Sequence, residues 1–166
     1  KIFYMNSEYE YYGRAASLSH INLDGKSDAQ IAPDTRVYMF AGGQHSPAQF
    51  PPVKRSTQNL PNPNAYQWIL RPMLLSMDAW VKDGKQPPAS RYPRIAKNEL
   101  VPLSGVRFPP IPGIAKPVVP HFAYPSNYGP DFRQKGIVTQ EPPEIGKPYP
   151  ILVPQVDVDG NDIGGI

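Results

Sequence analysis

Between Pro87 and Pro154 a proline recurs so often that neither a long helix nor a central strand fits. Proline gives no N–H to a ladder or a helix interior, and its ring clashes with the preceding turn. Sixteen of the 23 prolines of this 166-residue chain lie in that stretch, against a usual share of about 5% of residues. The chain therefore divides into residues 1–84, of ordinary composition, and a proline-punctuated extension, residues 85–166. Yet Ile111, Val118, Val119, Phe122, Tyr124, Phe132, Ile137, Ile151, Leu152, Val153 and Val156 are too apolar for a solvated tail. The extension reads as an ordered arm wrapping over a core, with short edge strands at Ile137–Thr139 and Tyr149–Gln155.

The first half carries two apolar runs rich in strand formers, Ile2 to Met5 and Arg36 to Ala41. Asn6-Ser7 ends the first and Gly42-Gly43 the second. Continuous runs of this kind fit strands buried on both faces of a parallel sheet. About thirty residues separate them, enough for a parallel crossover, with a short helix near Gly13–Leu18 and turns at Asp24-Gly25 and Pro33-Asp34. From Ala65 to Lys82 the residues Trp68, Ile69, Met73, Leu74, Met77 and Val81 recur at helical steps. Asn64 is a candidate N-cap and Asp83-Gly84 a stop. Pro72 predicts a kink, or a helix that begins there. Trp68 and Trp80 read as core. The expected class is α/β: the C-terminal part of a parallel sheet, a long amphipathic helix and the proline-rich extension.

The chain has no cysteine, which excludes disulfides, thiolate catalysis and cysteine–zinc sites. It leaves the compartment open, a secreted or periplasmic one included. The net charge of +3 is scattered, with no basic run, so no nucleic-acid partner is expected. No apolar stretch reaches the ~18 residues of a membrane span. The chain opens at Lys1 in a strand-like run and stops at Ile166 just past Gly164-Gly165. Both ends read as cut, and a missing N-terminal part of the same polypeptide is an expected partner.

Function in an open α/β sheet sits just past the carboxyl ends of the strands. Past the first run come Ser7, Glu8, Tyr9 and Glu10, and past the second come Gly42, Gly43, Gln44, His45 and Ser46. If the strands are parallel neighbours, a glutamate and a histidine reach one rim. A histidine there can take a proton from a nucleophile and return it to a leaving group, while a carboxylate fixes its tautomer. Tyr9, Tyr11 and Tyr12 are candidates to line a substrate pocket, with packing as the competing role. Asp157-Val158-Asp159-Gly160-Asn161-Asp162 has carboxylates at alternate positions, but the glycine is at position four rather than six, so it reads as a turn. His20 and His121 lack spaced partners. No metal site and no cofactor are expected.

The stretch Asn6-Ser7-Glu8-Tyr9-Glu10-Tyr11-Tyr12-Gly13-Arg14-Ala15-Ala16-Ser17-Leu18 resembles the E-Y-W-G-R-A-A-S-L block of the "alpha/beta hydrolase domain-containing protein" family. Arg36-Val37-Tyr38-Met39-Phe40-Ala41-Gly42-Gly43-Gln44-His45 resembles its R-V-Y-x-x-A-G-x-Q-H block. The similarity continues through Trp80–Gly84, Pro87-Pro88, Ser90–Pro93, Thr139–Pro143 and Tyr149–Gly160. The resemblance implies an α/β-hydrolase fold and hydrolysis of a small-molecule ester or amide through serine, acid and histidine, in that chain order. Glu10 matches the acid and His45 the histidine. Tyr12 stands where the family block has Trp, and Glu8 is a rival for the acid. No G-x-S-x-G occurs, Ser7 is expected in no strained elbow between strand and helix, and Ser46 follows the histidine. The nucleophile is therefore expected outside these residues, and the chain alone is expected to be inactive. The competing reading is a non-catalytic proline-rich module that binds carbohydrate or a protein. It predicts antiparallel strands and a His45 far from either glutamate.

Overall fold

The two apolar runs form the sheet at the centre of the chain. In the computed structural model, which describes residues 1–166, β1 (Ile2–Ser7) and β2 (Thr35–Phe40) pair in parallel, in register from Ile2↔Thr35 to Ser7↔Phe40. The crossover begins with α1 (Glu8–Gly13), continues through a 3-10 turn at Ala16–Ser19 and returns past Pro33. The short helix thus starts five residues earlier than Gly13, directly at the end of β1. No helix is long and apolar enough to cross a membrane.

β2 is buried along almost its whole length because it is bonded on both edges. On the side away from β1, Met39 N–H donates to Arg91 O, Arg91 N–H to Val37 O and Ile166 N–H to Met39 O, each at 2.9 Å. A Cβ at Gly165 would stand 2.8 Å from Met39 O, so a residue without one lets the last segment lie against the strand. β1 differs from expectation. Ile2, Tyr4 and Met5 are exposed, because nothing in this chain pairs with the outer edge of β1 or covers that side. Of its apolar residues only Phe3 is partly buried, edge-on to Tyr38 at 5.3 Å and 5.8 Å from the Trp80 ring.

The main core gathers Tyr11, Ile21, Val37, Met39, Tyr92, Leu100 and Leu152. Residues on both sides of position 84 therefore share one core. Burial of such side chains stabilises by roughly 1.5–3 kcal/mol each.

The helical periodicity corresponds to α2 (Gln67–Asp83), which ends at Gly84 in the left-handed region, φ +68°. Two expectations need correcting, and one of two alternatives is removed. Tyr66, not Asn64, holds the cap position and makes no side-chain cap; Asn64 instead donates from its side chain to Gly42 O at 3.2 Å. Pro72 lies inside α2 rather than at its start, which removes the alternative of a helix beginning there, and it is exposed. Second, the apolar face is not buried: Met73 and Trp80 are, whereas Leu74, Leu75, Val81 and, at 81%, Trp68 are exposed. Met73 and Trp80 are seven apart and share one side of the helix, and Trp80 packs on Phe3 of the sheet. Arg36 and Lys1 cap the Trp80 ring at 4.7 and 5.0 Å.

Beyond residue 85 the backbone makes only short elements. β3 (Leu100–Pro102) pairs antiparallel with β6 (Leu152–Pro154), and β4 (Ser126–Asn127) with β5 (Glu144–Ile145). α3 spans Phe132–Lys135. β6 falls within the predicted Tyr149–Gln155 strand. Ile137–Thr139 forms no strand, although Thr139 N–H donates to Tyr128 O at 2.9 Å. The run Ile151–Val156 is buried, whereas Val118, Val119, Phe122, Tyr124, Phe132 and Ile137 are exposed. Wrapping over the core is thus the work of the two ends of the extension, through Tyr92, Leu100 and Val106 at the first and Ile151–Val156 at the second; frequent prolines keep the middle from forming a ladder.

Candidate active site

Parallel pairing in register sends both chains out of the sheet at the same rim. From β1, Ser7 turns the chain directly into α1, so Glu8 and Glu10 occupy its first turn; Ser7 does stand between a strand and a helix, but with ordinary extended backbone (φ -82°) rather than a strained one. From β2, Gly42 (φ +61°) and Gly43 reverse the chain toward His45. A Cβ at Gly43 would stand 2.9 Å from Phe40 O, closer than real side chains come, and 3.0 Å from Ser7 Cβ, which is tighter than most. Glycine is what allows the two loops to touch here. Tyr9 N–H donates to Gly43 O at 3.3 Å and ties them together.

His45 and Glu10 meet at this rim. His45 Nδ1 lies 2.5 Å from Glu10 Oε1. The other carboxylate oxygen accepts from Ser7 N–H at 2.6 Å and from Ser7 Oγ–H at 2.5 Å. The Ser-x-x-Glu spacing is that of a capping box, so one carboxylate both caps α1 and holds the imidazole. Burial pushes the Glu10 carboxyl up, but the hydrogen bonds from His45 and Ser7 outweigh it and hold it below the usual carboxylate range. With Nδ1–H donated to an anion, the lone pair is on Nε2. Nε2 has no partner, and the imidazole side chain is 61% exposed. Tyr66 Oη–H donates to His45 O at 2.8 Å, and the Tyr9 ring stands 5.5 Å from the imidazole. Such a group can accept a proton from an approaching hydroxyl and later release it.

Glu8 points elsewhere. Its carboxyl is hydrogen-bonded to that of Asp162, away from His45. Burial, aided by the neighbouring Asp162 charge, pushes the Glu8 carboxyl up to about 8. Of the three tyrosines, Tyr9 borders His45 and Tyr12 is half-buried. Tyr11 has no exposed surface and joins Oη to His20 Nε2 at 2.9 Å, so it packs in the core rather than facing solvent. His20 is itself buried, which pushes it down to about 4. His121 is exposed in the extension and donates its N–H to Tyr12 O at 2.7 Å. Ser7 is buried with its hydroxyl given to Glu10, and Ser46 is exposed beyond the histidine. Asp157 closes its own turn, accepting from the N–H groups of Asp159 and Asn161 at 2.9 Å each.

Several contributors had no signal in the sequence. Asn62 donates from its side chain to Gly42 O at 2.7 Å, and its N–H donates to Gln44 Oε1 at 2.8 Å. Asp162 Oδ2 accepts from Gly42 N–H at 2.9 Å across 120 residues. Neither contact follows any spacing. Beside the His45 loop, Gln44, Ala48, Gln49, Pro51, Val53, Arg55 and Pro61 line an open cavity of about 420 Å³. The cavity of about 520 Å³ around Tyr128 and Phe132 lies in the extension and includes none of these residues.

A family model described as an alpha/beta hydrolase domain matches residues 1–166. No curated protein and no solved structure matches the chain.

Proposed function

This chain belongs to the alpha/beta hydrolase domain family, and on that premise we propose that it supplies the histidine and acid of a serine-hydrolase triad acting on a small-molecule ester or amide. The observation that carries the proposal is the 2.5 Å contact between His45 Nδ1 and Glu10 Oε1. His45 Nε2 takes the proton of the attacking hydroxyl and passes it to the leaving group. Glu10 keeps Nδ1 protonated and stabilises the imidazolium that forms. Ser7, through two hydrogen bonds, keeps the carboxylate oriented.

The nucleophile comes from a segment of the same polypeptide outside these residues. No G-x-S-x-G occurs here, and the Ser7 hydroxyl is buried and committed to Glu10. The uncovered side of β1, with Ile2, Tyr4 and Met5 exposed, suits the docking of further sheet. A non-catalytic module would instead favour antiparallel strands and a remote His45; β1 and β2 run parallel.

A fluorophosphonate probe, which labels activated serines, tests this. The 166-residue chain alone should take no label and turn over no activated ester. With the nucleophile-bearing segment restored, label and turnover should appear, and His45→Ala should remove both. Turnover by the chain alone that is lost in His45→Ala would overturn the external nucleophile. Labelling indifferent to His45→Ala would overturn the role of His45.

A further inference from the structure

One part-buried polar contact at the rim is left over once the proposed triad is described. The Gly42 peptide, which begins the turn to His45, is held from both sides. Its carbonyl accepts from Asn62 Nδ2 at 2.7 Å and its N–H donates to Asp162 Oδ2 at 2.9 Å. Asp162 is rigidly mounted: it forms a β-bridge with Val156, and the next residue, Ile163, donates its N–H to Gln155 O at 2.9 Å. The Asp162 carboxyl is also hydrogen-bonded to that of Glu8, in the same turn of α1 as Glu10. Two carboxyls can share such a bond only if one of them carries a proton.

We propose that Asp162 is a positioning residue, which through Gly42 on one side and Glu8 on the other sets the separation between the His45 loop and the α1 turn that carries Glu10. This rests on the reading of His45 and Glu10 as the base and its orienting acid, and it adds a third segment of the chain to that site. Asp162 touches neither the imidazole nor any substrate position; it acts through the backbone of both loops.

The shared proton makes the contact sensitive to alkali. Burial is the largest influence raising both carboxyls. The groups that face the pair are Tyr11 and Tyr12 from α1 and the Gly42 N–H from the β2 turn. No Lys, Arg or His forms an ion pair with either carboxyl. When the proton is lost as pH rises, nothing cationic offsets the repulsion of two half-buried carboxylates. Gly42 N–H retains Asp162, so Glu8 and the first turn of α1 move.

Backbone and imidazole NMR of the chain, followed from neutral to alkaline pH, tests this without any turnover, so failure of the hydrolase reading leaves the test standing. In the wild type, the Gly42 amide and the His45 resonances should inflect together as the pair loses its proton. Glu8→Gln, which can still donate to Asp162, should abolish the inflection and leave the neutral-pH spectrum of His45 in place. Asp162→Leu should displace the His45 resonances at every pH and lose the hydrogen-bonded Nδ1 proton. If Asp162→Leu does not fold, Asp162→Asn, which still accepts from Gly42, should keep the neutral-pH His45 spectrum and lose the inflection. An inflection confined to Gly42, or one that persists at His45 in Glu8→Gln or Asp162→Asn, would overturn the proposal. So would a His45 spectrum unmoved by Asp162→Leu.

Discussion

Glu10 Oε1 lies 2.5 Å from His45 Nδ1, although the two residues are 35 apart and leave the sheet from different strands. The same carboxylate is bonded through its other oxygen to both the N–H and the hydroxyl of Ser7. In the proposed triad this acid is oriented before any substrate arrives, which is how a carboxylate holds one imidazole tautomer without reorganising during reaction.

Replacing Glu10 should therefore act on rate more than on folding. In the polypeptide that carries the nucleophile, Glu10→Gln is expected to lower kcat by about a thousandfold or more, because the imidazole tautomer is no longer held. The accompanying loss of a charged cap should cost about 1 kcal/mol. Steady-state hydrolysis of an activated ester and a urea melt separate the two effects. A Glu10→Gln enzyme with near-normal kcat would remove the acid from the mechanism.

The turn to His45 depends on the missing side chain at Gly43. An alanine Cβ would press on Phe40 O and Ser7 Cβ at 2.9 and 3.0 Å. Gly43→Ala should destabilise the chain by about 1–3 kcal/mol and reduce kcat disproportionately, because it parts the loops bearing His45 and Glu10. Gly84→Ala is the contrast. That position has φ +68° with nothing within 4 Å, so it should cost about 1–2 kcal/mol of backbone strain and leave kcat unchanged. Equal kinetic effects of the two variants would contradict the special role of the turn.

His20 gives the chain a stability limb in acid. Its native value is pushed down to about 4 by burial, while the unfolded chain titrates near ~6.5. Below ~6.5 the unfolded state takes up a proton that the native state refuses, so stability falls with falling pH until the native histidine titrates too. The contribution should be full above ~6.5, shrink through the interval and amount to about 3 kcal/mol in all. Comparing urea unfolding of the wild type and His20→Gln at the two ends isolates it. The variant should show a shallower acid limb; parallel curves would mean that His20 is not a neutral core residue.

The two tryptophans should behave oppositely. Trp80 is 1% exposed and packs on Phe3 and under Arg36, so Trp80→Ala should cost about 3–5 kcal/mol. Trp68 is exposed, and Trp68→Ala should change stability by no more than about 0.5 kcal/mol. A large loss at Trp68 in thermal melts would show that the chain buries that helix face against something else.

The parallel pair was legible in the residues because two apolar, β-rich runs at a crossover distance have few other solutions. The rim followed from it, since parallel strands discharge their loops on the same side. Spacing alone left Glu8 and Glu10 equivalent, and only the family resemblance singled out Glu10. Both occupy the first turn of α1, and the helical twist decides which one faces His45 and which faces Asp162. Tyr9, Tyr11 and Tyr12 divide in the same way, one toward the imidazole and one into the core. The helix was readable from its period and Gly84, but not which of its apolar residues find partners.

The amino-acid pattern alone determined the local matters: where the two paired strands and the long helix run, where glycine must turn the chain, and where proline forbids ladders. These depend on each residue's own backbone freedom and on periods of two and 3.6. The tertiary structure decided which distant groups answer one another. Asp162 reaches Gly42 and Ile166 reaches Met39 from over a hundred residues away. Hydrophobic and hydrogen-bonding needs are written into each side chain, but the partner that meets them is set by how separate segments pack in space.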